Sequence, residues 1–236
     1  MLIKIGTKNE STRETWLEAT LKQVPQGARI LDAGAGELQY KRYCGHLNYV
    51  SQDFAQYDGK GDDSGLQMGS WDQSKLDIVS DITAIPEPDA SFDAIMCIEV
   101  FEHLPNPVLA LKEFARLLRP GGQLILTAPF CSLTHFAPYH FYSGFNRYFY
   151  ETHLNELGIE IVDLKSNGNF FEFIAQEARR INFVAEKYCN TRINLLEKLL
   201  IKLFLLIVSR HAASDKGSEE ILNFGYQVRA VKKAGR

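Results

Sequence analysis

The sequence predicts an α/β protein built on a mostly parallel sheet, and three observations predict it. Short apolar runs alternate with segments of helical spacing through the first two-thirds of the chain. One run, Arg29-Ile30-Leu31-Asp32, leads into two glycines one residue apart, Gly34 and Gly36. Further runs also end on polar residues, so Asp32, Asp53, Asp81 and Glu99, with Pro129, fall at strand carboxyl ends. Ligands of such sheets sit outside those ends, and the five residues are expected to line one crevice.

The elements follow in order. Asn9 to Gln23 reads as a helix, polar at its start, with Trp16, Leu17 and Leu21 at helical spacing. Pro25-Gln26-Gly27 stops it. Ala28–Asp32 is the first strand, Glu37–Tyr43 a short helix and Leu47–Asp53 a second strand. Residues 54–75 are rich in Gly, Asp and Ser and form an irregular loop of a length that is more often functional than accidental. Leu76–Ser80 is a third strand. Phe92–Ile98 is continuously apolar, the mark of a strand buried on both faces. Pro107–Leu118 is a helix ended by Arg119-Pro120-Gly121-Gly122, and Gln123–Ala128 is a fifth strand. Connections between parallel strands are right-handed and place helices on both faces.

Aromatics crowd residues 130–150. His153–Leu157 continues a helix that Gly158 ends, Ile159–Leu164 is a sixth strand, and Phe170–Tyr188 is helical. Ile193–Val208 is apolar on nearly every side, interrupted by Lys202, and too short to span a bilayer. Such a helix must be buried somewhere. Packing on the domain or on a second subunit is expected, with a membrane-surface contact as the alternative. Asn223–Val231 is the last strand.

At 236 residues the chain fits one domain. A net charge of −3 offers no global field for nucleic acid. The four cysteines, Cys44, Cys97, Cys131 and Cys189, are widely spaced and form no Cys-x-x-Cys pair. A disulfide framework is not expected, and a reducing, cytoplasmic setting fits. The first residues, Met1-Leu2-Ile3-Lys4-Ile5-Gly6, lack the apolar stretch of a signal peptide.

Five pieces then stand in a familiar order: Ile30-Leu31-Asp32-Ala33-Gly34-Ala35-Gly36; Tyr49-Val50-Ser51-Gln52-Asp53; Val79-Ser80-Asp81-Ile82; Phe92 to Leu104 with Glu99-Val100-Phe101-Glu102-His103; and Leu117-Leu118-Arg119-Pro120-Gly121-Gly122. Together they resemble the class I S-adenosylmethionine-dependent methyltransferases, of the type 11-like small-molecule branch. The resemblance covers residues 28–165. It implies a Rossmann-like three-layer α/β/α sandwich with a mostly parallel seven-stranded sheet and an antiparallel last strand. Residues 1–236 would then be a single domain with core 28–165 and a helical insertion over 169–210 before a last strand at 222–232.

The resemblance also implies roles. Gly34 and Gly36 would let the backbone approach S-adenosyl-L-methionine, because a Cβ there would block it. Asp53 would accept from both ribose hydroxyls, a task that suits a carboxylate's two oxygens. Asp81 and the Ile82 backbone would meet adenine, Asp32 the turn or the amino group, and Ile98 and Glu99 the methionine part. Many members carry a third glycine where this chain has Glu37 or Leu38, which alters one edge of the pocket. A nicotinamide-dependent oxidoreductase is the alternative, although Gln39 stands where its fingerprint wants glycine. A non-catalytic methyltransferase-like scaffold is another.

Glu99-x-x-Glu102-His103 resembles a divalent-cation segment of some O-methyltransferases of quinone synthesis and of the small-RNA terminal 2′-O-methyltransferases. A small-RNA enzyme would want a basic surface that the composition does not show. The same letters shape the loop and helix start of metal-free relatives, and no metal is assigned. The acceptor is expected to be a small or medium-sized molecule, methylated at oxygen or nitrogen. His140 and His103 are the candidate bases. His135, Tyr139, Tyr142 and Arg147 are the candidate acceptor contacts, set among aromatics that are mostly core.

Overall fold

The computed structural model describes residues 3–234. They fall into two compact units, one of residues 15–165 with 225–234 and one of residues 3–14 with 166–224. The sheet has seven strands, β1 (Arg29–Ala33), β2 (Asn48–Asp53), β3 (Ile78–Val79), β4 (Phe92–Ile98), β5 (Leu118–Pro129), β6 (Ile159–Asn167) and β7 (Gly225–Lys232). Their order is β3-β2-β1-β4-β5-β7-β6. The pairs β1–β2, β1–β4, β2–β3 and β4–β5 are parallel. β7 runs antiparallel to β5, from Gly225 opposite Pro129 to Val231 opposite Gln123. The expected sheet is therefore present, antiparallel strand included.

Strand periodicity sorts side chains onto two faces. Leu31, Ile95, Cys97, Leu124 and Leu126 pack with Leu111, Phe114 and Leu117 of helix α2 (Pro107–Leu117) and with Tyr150 and Leu154 of helix α3 (Arg147–Glu156). Their neighbours Ile30, Ala94, Met96, Ile98 and Ile125 face the other way. They pack with Leu17, Leu21 and Val24 from helix α1 (Asn9–Leu21) and the residues after it. Burial on both faces explains why Phe92–Ile98 shows no polar alternation.

Four elements depart from the expected ones. The helix expected over Glu37–Tyr43 shrinks to one 3₁₀ turn at Lys41–Tyr43. Leu38 has φ +62°, a left-handed conformation that an α-helix cannot contain. The third strand keeps only Ile78 and Val79, at the sheet edge. The fifth is longer and includes Arg119-Pro120-Gly121-Gly122, with an irregularity opposite Phe92 and Ala94. The apolar helix of residues 193–208 is mostly exposed rather than buried: Leu195 is 85% and Leu196 64% exposed.

In the smaller unit, α4 (Phe170–Cys189) and α5 (Leu195–Ala212) pack on each other. Asn194 and Glu197 form a reciprocal capping box that starts α5. Ala175, Ala178, Leu205 and Val208 form its small core with Ile5.

At the amino ends of the strands, Arg116 clamps the 85–89 loop to α2. It donates to both carboxylate oxygens of Glu113, to Asp89, and to the Ile85 and Glu87 carbonyls. Glu113 in turn accepts the Ile85 N–H. The hydrogen bond from Arg116 holds the Glu113 carboxyl below its ordinary range. Arg116→Ala leaves the mostly buried Glu113 without its cation and is expected to destabilise the fold by about 2 kcal/mol. A urea midpoint unchanged from wild type would show that the clamp contributes nothing.

Candidate functional site

The site begins with the turn after β1. Gly34 and Gly36 both have positive φ, +80° and +51°. A Cβ on Gly34 would lie 2.5 Å from Val100 Cγ2, and one on Gly36 2.6 Å from Trp71 Cζ2. Conformation and space therefore both demand glycine there. The N–H groups of Gly34 and Ala35 donate to the Gln52 carbonyl at 2.9 Å each. Gly36 N–H donates to Asp53 Oδ2 at 2.9 Å. Asp53 Oδ1 accepts from Ala55 N–H and from the Gln73 side-chain amide, both at 3.0 Å.

Asp32 lies beneath the turn, 1% exposed, and accepts from the Tyr49 hydroxyl at 2.6 Å. Burial pushes its carboxyl up to about 7, against the pull of the Tyr49 hydrogen bond and with help from the Asp53 charge. Asp81 is exposed and accepts from both the N–H and the hydroxyl of Thr83 at 2.8 Å, a local turn that fixes its side chain. Ile82 and Ile98 are buried.

Two segments lie over the strand ends. The loop of residues 54–75 pairs with the aromatic segment through Leu66 N–H on the Thr134 carbonyl and Phe136 N–H on the Leu66 carbonyl, at 3.0 Å each. Tyr57 stacks on Phe136 with centroids 4.6 Å apart, and Trp71 meets both rings. Glu37, the departure from glycine, accepts the Asp72 N–H at 3.0 Å and so ties this loop to the turn.

Beyond β4 the chain is strained. Glu99 has φ +56°, unusual for a residue with a side chain. It is held by Thr127 on β5, whose hydroxyl donates to Glu99 Oε1 at 2.8 Å and whose carbonyl accepts the Glu99 N–H. This bend turns the next 3₁₀ turn, Phe101–His103, so that Glu102 is buried at 1% exposure. His103 Nε2 and His135 Nε2 each lie 3.7 Å from Glu102 Oε1. Each ring is oriented through its other nitrogen: Nδ1 of His103 faces the Tyr139 carbonyl at 2.5 Å, and Nδ1 of His135 the Leu133 carbonyl at 2.8 Å. A carbonyl only accepts, so both Nδ1 atoms carry the proton.

Ionisation follows from this packing. Burial pushes the His103 imidazole down to about 3, so it is neutral and its Nε2 carries a lone pair. Burial pushes Glu102 up. At His135 burial acts downward, but the Glu102 carboxylate and the Leu133 carbonyl outweigh it and raise the value. Burial and the His135 charge lower His140. His140 lies beside this group, its ring centroid 4.9 Å from that of His135, and Nε2 is 3.3 Å from the Ser132 hydroxyl.

Glu102, His103 and His135 thus bring three donor atoms within 4.8 Å of one another. Glu102 Oε2 and His103 Nε2 are buried without a hydrogen-bond partner. Buried acceptor atoms left without a partner are unfavourable unless a proton or a cation satisfies them. One carboxylate and two imidazoles, with ring orientation fixed by carbonyls behind, suit a divalent cation. No metal is expected from the sequence; the donor set brought together by the fold fits one.

Residues 31–126 match the family model described as "Methyltransferase domain". Over these residues, about two-fifths of the chain, the sequence is similar to a methyltransferase domain. A curated relative, ubiquinone biosynthesis O-methyltransferase of Xylella fastidiosa, is 34% identical over 121 residues, which are 47% of this chain and 46% of that protein. The enzyme of that name from Xanthomonas axonopodis pv. citri is 36% identical over 110 residues, 44% of each chain. The chain thus matches less than half the length of these relatives. Among solved structures, phosphoethanolamine N-methyltransferase 2 of Haemonchus contortus aligns with TM-score 0.56 at 14% identity, over 95% of this chain and 53% of that one. A (4+2)-cyclase aligns with TM-score 0.55 at 18% identity, over 93% and 81%. The fold is shared with both, and it is not tied to one reaction.

The expected residues fall into two groups and some outliers. Asp32, Gly34, Gly36 and Asp53 surround the glycine turn. His103 and His135 lie beside Glu102, with the Tyr139 carbonyl behind His103 and His140 next to His135. Tyr142 is exposed and donates to the Pro105 carbonyl at 3.2 Å. It lines a separate open cleft of about 550 Å³ with Asn106, Phe145 and Phe149. Arg147 is engaged on its own helix, 3.7 Å from Glu151 and stacked on Tyr148. Tyr142 reaches the histidine group only through its backbone, its N–H donating to the Glu102 carbonyl at 3.2 Å. Tyr49, Tyr57, Gln73 and Thr127 escaped the sequence reading, because each acts through a partner remote in the chain.

The state of Asp32 gives a test. Its folded value of about 7 lies above the ordinary 3.8. Between these values the folded protein holds a proton that the unfolded chain has lost, so this group's contribution to stability falls as pH rises through that window. Asp32→Asn removes the penalty. It is expected to raise the thermal midpoint at about pH 8, by at most ~4 kcal/mol of stability, and to change little near pH 4. An equal effect at both pH values would contradict the raised value.

Proposed function

We propose that the chain is an S-adenosylmethionine-dependent methyltransferase acting on a hydroxyl oxygen of a small or medium-sized acceptor. The observation that carries this reading is the buried Glu102–His103–His135 group, set at the end of β4 in a domain whose glycine turn has no room for a Cβ. The names of the curated relatives, which are O-methyltransferases, support the choice of oxygen. Four free cysteines, Cys44 and Cys97 buried, favour a reducing, cytoplasmic setting.

S-Adenosylmethionine supplies a methyl group already activated on a sulfonium. The chain's task is then alignment of nucleophile, methyl and sulfur. Gly34 and Gly36 give backbone room for the cofactor. Asp53 accepts from the ribose hydroxyls, with the Gln73 amide yielding one acceptor direction. Asp81 and Ile82 flank adenine. Asp32 faces the amino group, and Ile98 and Glu99 lie beside the methionine part.

On the acceptor side the two candidate bases separate. His103, at about 3, is too weak a base for neutral pH and is better suited as a ligand. His140 is less buried and keeps the role of base, with Ser132 orienting it. Glu102, His103 and His135 would hold a divalent cation, which when bound polarises the acceptor oxygen and eases loss of its proton. Tyr139 positions His103 through its carbonyl and packs its ring on Phe54 at 5.0 Å. Tyr142 and Arg147 are proposed only as outer contacts of a larger acceptor.

Calorimetric titration with S-adenosylhomocysteine tests the cofactor, with oxidised and reduced nicotinamide cofactors as controls. Saturable binding of S-adenosylhomocysteine alone is expected, weakened about tenfold or more by Asp53→Ala through loss of charge-assisted hydrogen bonds. No binding by a folded protein would overturn the reading, and binding of a nicotinamide cofactor would favour the oxidoreductase. For the second group, transfer of labelled methyl to a panel of phenols and catechols is expected to fall by about 100-fold or more in Glu102→Gln. Direct titration with Mn²⁺ and Zn²⁺ should show the same variant losing metal affinity. Undiminished metal binding in that variant would remove the cation from the scheme.

A further inference from the structure

We propose that the α4–α5 hairpin docks the protein on an anionic lipid surface, with the outer face of α5 laid against the acyl boundary. This does not depend on the chemistry at the strand ends. Helical spacing puts Leu205 and Val208 on one face of α5, where they are buried with Ala175 and Ala178 of α4. The opposite face carries Leu195, Leu196, Leu199, Leu200, Leu203 and Ile207, each between 47% and 85% exposed. A continuous apolar face of this kind is unfavourable in water and marks an interaction surface. Near the helix–helix turn, α4 adds exposed Val184 and Tyr188, an aromatic with a polar tip suited to a membrane interface.

Charge decides what covers this face. Over the hairpin, residues 170–212, the chain carries seven Lys or Arg against four Glu, in a protein whose net charge is −3. Arg180 and Arg192 are paired with Glu177 and Glu186 on α4, which leaves the cations of α5 itself to face a ligand. Lys198 and Lys202 are exposed on the flank of the apolar face, one turn apart, and Arg210 extends it at the carboxyl end. Long basic side chains there can lay their methylenes along the apolar surface and reach lipid phosphates with their charged ends. Basic residues beside an apolar face are drawn to anionic membranes. A second copy of the chain fits less well. A two-fold contact would set this patch against itself and bring the same cations together. Among the described residues no helix is long and apolar enough to cross a membrane, so the hairpin would lie on the surface rather than span it.

Co-sedimentation of the full chain with vesicles tests this, using pure phosphatidylcholine and phosphatidylcholine mixed with phosphatidylglycerol. Binding to the anionic vesicles is expected, weakened by added salt. Lys198→Glu with Lys202→Glu should lower the partition coefficient about tenfold or more. Leu199→Glu with Leu203→Glu should abolish binding while leaving S-adenosylhomocysteine affinity and the thermal midpoint near wild type, because both side chains point to solvent. Binding to neither vesicle, or equal binding to both, overturns the proposal. So does a dimer in analytical ultracentrifugation that dissolves in the Leu199→Glu, Leu203→Glu variant and leaves the wild type without affinity for vesicles.

Discussion

The contact between Asp53 and the backbone of Gly36 holds the cofactor side of the site together. It joins the end of β2 to the turn after β1, at a left-handed glycine where a Cβ would collide with Trp71. Through Gln73 the same carboxylate reaches the 54–75 loop, and through Glu37 the turn reaches Asp72. One carboxylate and one left-handed glycine turn thus organise three segments remote in sequence. The buried Asp32 beneath them adds a charge that the fold disfavours until a cationic ligand or a proton satisfies it.

A second constraint shapes the acceptor side. The left-handed Glu99, secured by Thr127, swings the chain so that Glu102 points inward and His103 stacks on Phe136. Strain of this kind persists only where surrounding contacts over-determine it. Here they are the parallel β4–β5 ladder below and the aromatic segment above. The result is a dry carboxylate facing two imidazoles, an arrangement with little value for stability and clear value for holding a cation or a proton.

The proposed membrane contact and the strand-end chemistry draw on different physics. One uses exposed apolar area and a local excess of cations in a chain of opposite net charge. The other uses burial, which suppresses charge and sharpens the few polar contacts that remain. The two groups of residues do not overlap, so each can be altered without touching the other.

The sequence by itself determined the order of strands and helices through their periodicities. It also determined the glycine turn and the acids at the strand ends, because each is encoded within a few adjacent residues. Ile30, Leu31 and Phe92–Ile98 announced a doubly covered sheet, and Gly34, Gly36 and Asp53 announced a ligand crevice. Tertiary structure alone decided what depends on contacts distant along the chain. Leu38 takes a left-handed conformation that ends the helix expected at Glu37. Arg147 pairs with Glu151 and stacks on Tyr148 on its own helix. His135 and Glu102, 33 positions apart in the sequence, meet only when the aromatic segment folds over β4. The exposure of α5 belongs to the same class: an apolar run reports that a face must be covered, but only the packed chain shows that its own residues leave that face open.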